Sequence, residues 1–507
     1  MNQLFTRKPI AELLPGDESS GLKRELGVSD LVLLSIGAVI GAGIFSSIGT
    51  AAAGEVLPTG EIVRYGAGPA LILSFVLLGL VCALAALCYA ELSSMIPVAG
   101  SAYTYAYASS GEFVAWMIGW DLILEYALSM STIAVGWSGY FVSFLRDLGI
   151  HLPPELTAAP GVGTMALDGE MVTGVFNLPA ALIVVLVSAL LLVGIRQSAG
   201  TNTALVVVKV TVLLLFIAFG AAYVRRENLT PFIPPNTGEF GSFGWSGVLR
   251  GAAVMFFAYV GFDAVSTAAQ EARNPQRDMP IGILASLAIC TVIYIAVAIV
   301  LLGIVPYRQL NVADPIAVGI DATGLTWFSP IVKISAIFGL FSTMLVQLLG
   351  QTRIFYSMSR DGLLPDLFGA VHPRFRTPHL STIVTGGVVA FAAGMLPIAV
   401  LSQLVSIGSL LAFVLVCIGV IVLRRTAPHA ARPFRTPLVP WVPILGALVC
   451  LAQMASLPWA TWERLLVWLV LGLAIYFGYS RHRARAKRET RLTPTTAAET
   501  VSGESTA

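Results

Sequence analysis

The sequence predicts an all-α protein that crosses a membrane many times. Of its 507 residues, 56% are hydrophobic and only 11% are charged, and the mean hydropathy is +0.83. A soluble globular chain carries about 25% charged residues, so this chain could not cover a water-facing surface. Its apolar residues also occur in runs of about 20 or more, the length that spans a hydrocarbon core of ~30 Å. A soluble enzyme is therefore excluded.

Twelve apolar runs are long enough to be transmembrane helices, and we number them segments 1 to 12. They lie near residues 30–53, 69–96, 112–145, 177–195, 202–224, 246–269, 281–305, 330–358, 380–400, 403–423, 438–457 and 461–480. An even number of crossings places both termini on one side of the membrane. Residues 1–29 are polar and show no secretory signal, and residues 481–507 are predicted to be a basic and then disordered tail.

Lysine and arginine are divided unequally between the two sides of the predicted membrane. With a cytoplasmic N-terminus, 20 of the 30 basic residues lie in cytoplasmic parts, six lie outside and four lie within spans. Cytoplasmic loops of membrane proteins are enriched in these residues, so both termini are predicted to be cytoplasmic. The single dense basic run, RHRARAKR at 481–488, is short, and nucleic-acid binding is not predicted.

Segments 1 and 6 both contain glycine near their centres, in the stretches IGAVIGAGIFSSIG and FFAYVGFDAVST. Glycine inside a helix costs roughly 1 kcal/mol relative to alanine, so these stretches favour unwinding. Unwound backbone is tolerated in a bilayer only where it is buried in protein or lines a cavity. The segments are five helices apart, and matching interruptions in two inverted halves indicate the central site of a transporter. Close helix packing is the alternative explanation, since Gly37 and Gly41 have the small-xxx-small spacing.

The ends of the interrupted helices predict a substrate site. Backbone amides that begin the second half of segment 1 carry partial positive charge, which attracts a carboxylate. Carbonyls that end the first halves of both segments suit an ammonium group. A site that holds both groups without formal charges fits the zwitterion of an α-amino acid. The predicted amides belong to Ala42, Gly43 and Ile44, the carbonyls to Val39, Ile40, Phe257, Ala258 and Val260, and Gly41 lies between the two sets.

Two ionisable side chains lie deep within predicted spans, where such groups are functional candidates. Lys209, in LVVVKVTVLLL of segment 5, lies ~10 Å from the cytoplasmic end of its helix. Its alternative role is that of a snorkelling lysine. Glu125, in LILEYALS of segment 3, lies near mid-depth and either faces the substrate or is a protonated structural hydrogen-bonding group.

Further motifs follow in order along the chain: YAELSSMIPVAGSAYTYAY, GWDLILEYALS, GIRQSAGTN, FFAYVGFDAVSTAAQEARNPQRDMPIGI and GQTRIFYSMSRDGLLP. With GAVIGAGIF of segment 1, they resemble the amino acid–polyamine–organocation permease superfamily, most closely its cationic amino acid transporter branch and bacterial relatives. The resemblance implies a LeuT-type fold with inverted five-helix repeats at 30–224 and 246–424 and two peripheral helices at 437–480. It also implies secondary transport of amino acids in the bacterial plasma membrane, usually coupled to protons.

The resemblance also implies roles for individual residues. Carboxylate-binding amides fall on Ala42 and Gly43, and Phe257 matches an aromatic outer gate above the ammonium-binding carbonyls. Lys209 matches a lysine that bridges segments 1 and 8 and couples transport to protons. Gln347 matches a residue that contacts the substrate side chain. At the inner end of segment 8, salt bridges of Arg353 and Asp361 are expected to close the inner gate.

The predicted function is import of amino acids by proton symport and alternating access, without a cofactor. An amino acid or amine exchanger and a sensor on the same fold are the alternatives. Small neutral and cationic substrates both remain open, as does a small accessory membrane subunit. Tyr103, Tyr105 and Tyr107 should mark the membrane interface, and Lys333 should snorkel to the outer surface.

Overall fold

The computed structural model describes residues 4–9, 26–56, 62–64, 66–98, 100–165, 171–193, 199–372 and 377–492. Each predicted segment contains helix in this part of the chain. Segments 1 to 6 contain helices Val28–Val39 and Ile48–Ala53, Leu71–Met95, Glu112–Asp147, Leu178–Leu192, Ala199–Gly220, and Gly244–Met255. Segments 7 to 12 contain helices Pro275–Ile304, Ser329–Arg360, His379–Met395, Ile398–Thr426, Trp441–Ser456, and Trp459–Ile475.

Shorter elements connect these helices. Helices Ser101–Ser109 and Pro315–Asp321 lie between segments, and helix Arg481–Leu492 follows segment 12 after a π-helical turn at Tyr476–Ser480. Two antiparallel hairpins pair Glu55–Val56 with Ile62–Arg64 and Gly163–Met165 with Met171–Thr173. Short 3₁₀ turns lie at Gly68–Ala70, Pro154–Leu156, Ala221–Tyr223, Arg226–Leu229, Phe256–Tyr259, Ala264–Glu271, Tyr307–Gln309 and Asp366–Gly369.

Eight helices of the described chain are long and apolar enough to cross a membrane, in segments 1, 2, 3, 5, 7, 8, 10 and 12. The helices of segments 4, 9 and 11 are apolar but shorter, and segment 6 is divided into several pieces. The protein is therefore a multi-pass membrane protein by helix length and composition. The count of twelve crossings and the inverted repeat stay predictions.

Large apolar side chains face outward along the helices. Leu80, Leu182, Val292, Phe391 and Val467 are each between 58% and 68% exposed. Polar side chains such as serine, threonine and several carboxylates lie instead in the interior. Exposed apolar surface of this extent is unusual on a soluble monomer and fits contact with lipid. The surface therefore agrees with the composition of the chain.

The packing of the helices places segments 1 and 6 at the centre. Segment 3 packs along segment 8, segment 2 along segment 7, and segment 4 along segment 9. Each of these pairs joins segments that are five apart in the sequence. Segment 1 packs between segments 5, 7 and 8, and the pieces of segment 6 contact segments 1, 2 and 10.

Two of the sequence expectations are wrong. Tyr103, Tyr105 and Tyr107 belong to a buried helix and are at most 6% exposed, because the helix packs under segments 3 and 10. Lys333 does not snorkel. Its side chain is 2% exposed, and its ammonium lies 2.7 Å from Asp147 and 3.2 Å from Asp321. Nearby carboxylates, which single-segment reasoning cannot place, compensate the buried charge.

The described parts of both termini lie at the same end of the helix bundle. The backbone of residues 4–9 binds the start of segment 3, where Glu112 and Phe113 donate to the carbonyls of Thr6 and Leu4 at 3.1 and 3.0 Å. At the other end of the sequence, helix Arg481–Leu492 contacts the turn that follows segment 8. This arrangement agrees with the prediction that both termini lie on the same side of the membrane.

Candidate functional site

Segment 1 is interrupted where its sequence predicts. Its first helix ends at Val39, and Ile40 is extended, with ψ at 91°. The chain turns helical again at Ala42 and continues as a π-helical turn at Gly43–Ser47. The first backbone amides of a helix have no carbonyl partner within that helix. In the second half of segment 1, these unpartnered amides lie at the interruption.

Segment 6 is interrupted at the matching place. Its helix tightens into a 3₁₀ turn at Phe256–Tyr259, and Val260 is extended, with ψ at 130°. Gly261 has a φ of +123°, a conformation that disfavours any side chain. The Asp263 carboxylate accepts a hydrogen bond from the Gly261 amide at 3.2 Å and so stabilises the interruption locally. Asp263 therefore has a structural contact, and its carboxylate accepts no capping hydrogen bond from the 3₁₀ turn that begins at Ala264.

The two interruptions are in direct contact. A Cβ atom added to Gly43 would lie 2.5 Å from Cα of Ala258, and one added to Gly261 would lie 2.8 Å from the carbonyl carbon of Ala38. Only glycine allows the two backbones to approach so closely at both points. Packing and unwinding, which were alternatives at the level of sequence, are therefore both present.

A tyrosine that sequence analysis missed joins the two interruptions. The hydroxyl of Tyr294, on segment 7, lies 2.8 Å from the Val39 carbonyl and 3.0 Å from the Ala258 carbonyl. Both carbonyls belong to the predicted ammonium-binding set, and each retains a second lone pair for a further donor. The detectable signal was a single tyrosine within the apolar run of segment 7.

Lys209 reaches the interruption of segment 1 from segment 5. Its side chain is fully buried, and its ammonium donates to the carbonyls of Gly37 at 2.6 Å and Ile40 at 2.7 Å. A third contact, at 3.3 Å, joins the ammonium to the hydroxyl of Thr343 on segment 8. The lysine is therefore not a snorkelling residue, and it connects segments 1 and 8 at the level of the interruption.

The remaining predicted contact residues surround this level. Phe257 and Val260 are buried, and the Phe257 amide donates to the Ser406 hydroxyl of segment 10 at 3.1 Å. Gln347 on segment 8 donates to the hydroxyl of Ser129 on segment 3 at 3.3 Å. This pair supplies neutral hydrogen-bonding groups, so the wall formed by segments 3 and 8 is polar but uncharged at this depth.

Glu125 lies one helical turn before Ser129 on segment 3, toward the end that holds the termini. It is 2% exposed, and its Oε2 atom has no hydrogen-bond partner among the described residues. Asp121, a further turn along, is 1% exposed, and neither of its carboxylate oxygens has a partner in the described chain. The structure thus places Glu125 beside a second buried carboxylate and below the Gln347–Ser129 pair.

The ends of segments 6 and 8 that lie on the side of the termini are linked by charge. Arg353 donates to Glu271, which follows segment 6, at 3.2 Å. Asp361 accepts from Lys8 of the N-terminal residues and from the hydroxyl of Tyr103, both at 2.9 Å. Both predicted gate residues therefore pair with parts of the chain outside segment 8.

A metal site is not evident in the described chain, where no group of three or more His, Cys, Asp and Glu side chains could hold an ion. The chemistry of the central site is that of backbone dipoles, the Lys209 ammonium, neutral side chains and the Asp263 carboxylate at the second interruption. Such groups bind and release a small polar molecule, and they offer no nucleophile arranged with a base.

Comparison with known proteins gives a consistent result. The model of a family described as amino acid permease matches residues 26–475. The chain is 47% identical to the methylthioribose transporter of Bacillus subtilis (strain 168) and 46% identical to its branched-chain amino acid permease BcaP; both alignments cover 95% of this chain and 98% of the relative. It is also 39% identical to the vacuolar cationic amino acid transporter 4 of Arabidopsis thaliana, over 84% of this chain and 68% of that one.

The family match covers both interrupted segments and all the residues of the central site. The relatives are transporters and permeases, so the chain is a membrane transporter and not an enzyme. The chain belongs to the amino acid permease family of the amino acid–polyamine–organocation superfamily.

Proposed function

We propose that this protein imports a neutral amino acid across the plasma membrane by proton symport and alternating access, with both termini in the cytoplasm. The observation that carries the proposal is the buried Lys209 ammonium, which holds the carbonyls of Gly37 and Ile40 to Thr343 of segment 8. Segments 1, 2, 6 and 7 form the moving bundle, and segments 3, 4, 8 and 9 form the scaffold.

The proton acts through these hydrogen bonds. An ammonium has three N–H donors, and the three acceptors around Lys209 match that number. Loss of the proton removes one donor and the charge that strengthens the others. The link between the interruption of segment 1 and segment 8 then weakens, and the bundle is freer to move against the scaffold. Release of the proton and of the substrate on the same side follows from this coupling.

The substrate binds by its backbone groups at the two interruptions. Its carboxylate meets the amides of Ala42 and Gly43. Its ammonium meets the carbonyls of Phe257 and Val260 and the second lone pairs of the Val39 and Ala258 carbonyls beside Tyr294. The Gln347–Ser129 pair faces the substrate side chain, and its neutral groups favour a side chain without charge. Phe257 closes the pocket from outside.

The relatives support an amino acid substrate and also supply a second candidate. BcaP is named for branched-chain amino acids, whereas the methylthioribose transporter, which is equally similar, is named for a thiosugar. Both substrates are small and polar at one end, so the panel of test substrates must contain both. A small accessory membrane subunit remains a prediction. It would appear as a second protein that copurifies with the transporter when the detergent is not exchanged.

Uptake into proteoliposomes tests the proposal. Radiolabelled alanine and leucine are supplied with and without an inward proton gradient, and threonine, arginine, putrescine and methylthioribose serve as competitors. We expect gradient-driven uptake by the wild type and its loss in Lys209→Met, which keeps the length of the side chain but cannot carry a proton. The matched control is Lys333→Met, which removes another buried lysine far from the interruption and should retain the response to the gradient.

The variants separate the possible outcomes. If Lys209→Met still exchanges internal for external amino acid, the variant is folded and binds substrate. The lysine is then required for proton coupling alone. If uptake by the wild type does not depend on the proton gradient and requires internal amino acid, the protein is an exchanger and the symport proposal is wrong. Competition by arginine as strong as by leucine would contradict the preference for neutral side chains, and competition by methylthioribose alone would replace the amino acid as substrate.

A further inference from the structure

Helix Arg481–Leu492 extends directly from the last transmembrane helix. Residues Trp459–Lys487 form one continuous helical stretch, which passes through a π-helical turn at Tyr476–Ser480. The twelve residues of the extension, RHRARAKRETRL, contain six lysines and arginines and one acid, Glu489. The basic run that the sequence analysis set aside is thus a rigid continuation of a transmembrane helix at the membrane surface, in the orientation of the proposed function.

One side of this extension is docked on the turn after segment 8. Ala484 is 3% exposed and packs against Gly362. Lys487 donates to the Asp366 carboxylate at 3.0 Å and to the Ser359 carbonyl at 3.1 Å, and Arg483 also pairs with Asp366. We call these contacts between the extension and the turn the dock. It combines one small apolar contact with two cations on a single carboxylate.

Two cations of the dock share a single carboxylate. Asp366 supplies one negative charge to Arg483 and Lys487, and its side chain is 61% exposed, so these pairs are weak. Arg481 and Arg485 lie on the same short stretch, and the side chain of Arg485 is solvent-exposed. A cluster of cations at the end of a transmembrane helix attracts the anionic headgroups of the inner leaflet.

We propose that the basic extension 481–487 is a binding site for anionic phospholipid headgroups, which compete with Asp366 for its cations. Lipid binding then loosens the dock on the turn that contains Gly362 and Asp366. That turn follows Asp361, which accepts hydrogen bonds from Lys8 and Tyr103 and which the proposed function assigns to the inner gate. Anionic lipid thereby eases opening of the inner gate, an effect that rests on the proposed transport function, whereas the binding itself does not.

Fluorescence of a labelled extension measures binding without transport. All five native cysteines are buried and unpaired, so a cysteine at the exposed position Ala486 can be labelled selectively. The full-length labelled protein, in detergent micelles, is titrated with phosphatidylglycerol or with phosphatidylcholine. Each cation near an anionic surface is worth ~1 kcal/mol, or about fivefold in affinity. We expect a saturable response to phosphatidylglycerol only, weakened about 25-fold in Arg481→Gln/Arg485→Gln.

Matched variants make each result decisive. Arg308→Gln/Arg464→Gln removes the same charge from the opposite end of the bundle and should bind phosphatidylglycerol like the wild type. Asp366→Asn removes the competitor and should tighten binding. No response of the wild type, equal weakening in both double variants, or weaker binding in Asp366→Asn would each overturn the proposal. If the wild type and all variants bind lipid as expected but none of them transports substrate, only the proposed function is refuted.

Discussion

Replacing Gly43 by alanine tests whether close contact of the two interruptions holds the central site together. The new Cβ would lie 2.5 Å from Cα of Ala258, whereas ordinary van der Waals contacts of a Cβ begin at 3.4 Å. The obstacle is backbone, which cannot rotate away as a flexible side chain can. Segments 1 and 6 must therefore separate locally, and overpacking of this kind costs typically 1–3 kcal/mol. We expect the upper end of that range.

Chemical denaturation of the purified protein, followed by its tryptophan fluorescence, measures this loss of stability. Gly387→Ala is the matched control, because no atom lies within 4 Å of its added Cβ and the residue is in the helix of segment 9. Helix propensity predicts that this control gains up to ~1 kcal/mol. Gly41→Ala, whose Cβ would meet Thr343 at 3.4 Å, should fall between the two in stability. Equal midpoints for Gly43→Ala and Gly387→Ala would refute the reasoning.

Three further predictions concern polar groups. Glu91→Gln should destabilise the protein by about 3–5 kcal/mol in a denaturation assay, because the nearly buried Arg432 loses its compensating charge. Tyr294→Phe should cost about 1–3 kcal/mol and raise the KM for uptake, because the carbonyls of both interruptions lose their shared donor. Hydrogen bonding and the charge of Lys487, with Arg483, lower the pKa of Asp366. The dock of the basic extension should thus persist at neutral pH and weaken only in acid below about pH 4, as measured by the label at position 486.

Each of these predictions has its own control. Asp366→Asn removes an exposed carboxylate and should cost at most about 1 kcal/mol, in contrast to Glu91→Gln. Tyr140→Phe removes a hydroxyl that donates to the Phe45 carbonyl and also contacts the backbone of Ile316 and Ala317, so it should change stability without changing the KM. A dock that loosens between pH 8 and pH 6 would contradict the lowered pKa, since a carboxylate in that range is already ionised. A variant of Glu91 as stable as that of Asp366 would likewise contradict the argument from burial.

Several features of the chain follow from the sequence alone. Hydrophobic runs give the helices, because every backbone polar group in lipid must be satisfied within its own segment. Glycine content locates the interruptions at Gly41, Gly43 and Gly261, because local backbone preference is a property of the residue itself. Lys209 is identifiable as a functional candidate for the same reason, since its isolation in an apolar run requires a partner elsewhere.

Only the tertiary structure supplies those partners. Tyr294 is an ordinary residue of segment 7 in the sequence, yet its hydroxyl joins two interruptions that are more than 200 residues apart. Lys333 was expected to reach the surface, and it is buried instead, since Asp147 and Asp321 approach it from other elements. Composition and periodicity show which side chains each helix carries, whereas helix packing determines which of them come into contact. Contacts between distant segments therefore determine how the site is built, and the sequence determines where its pieces lie.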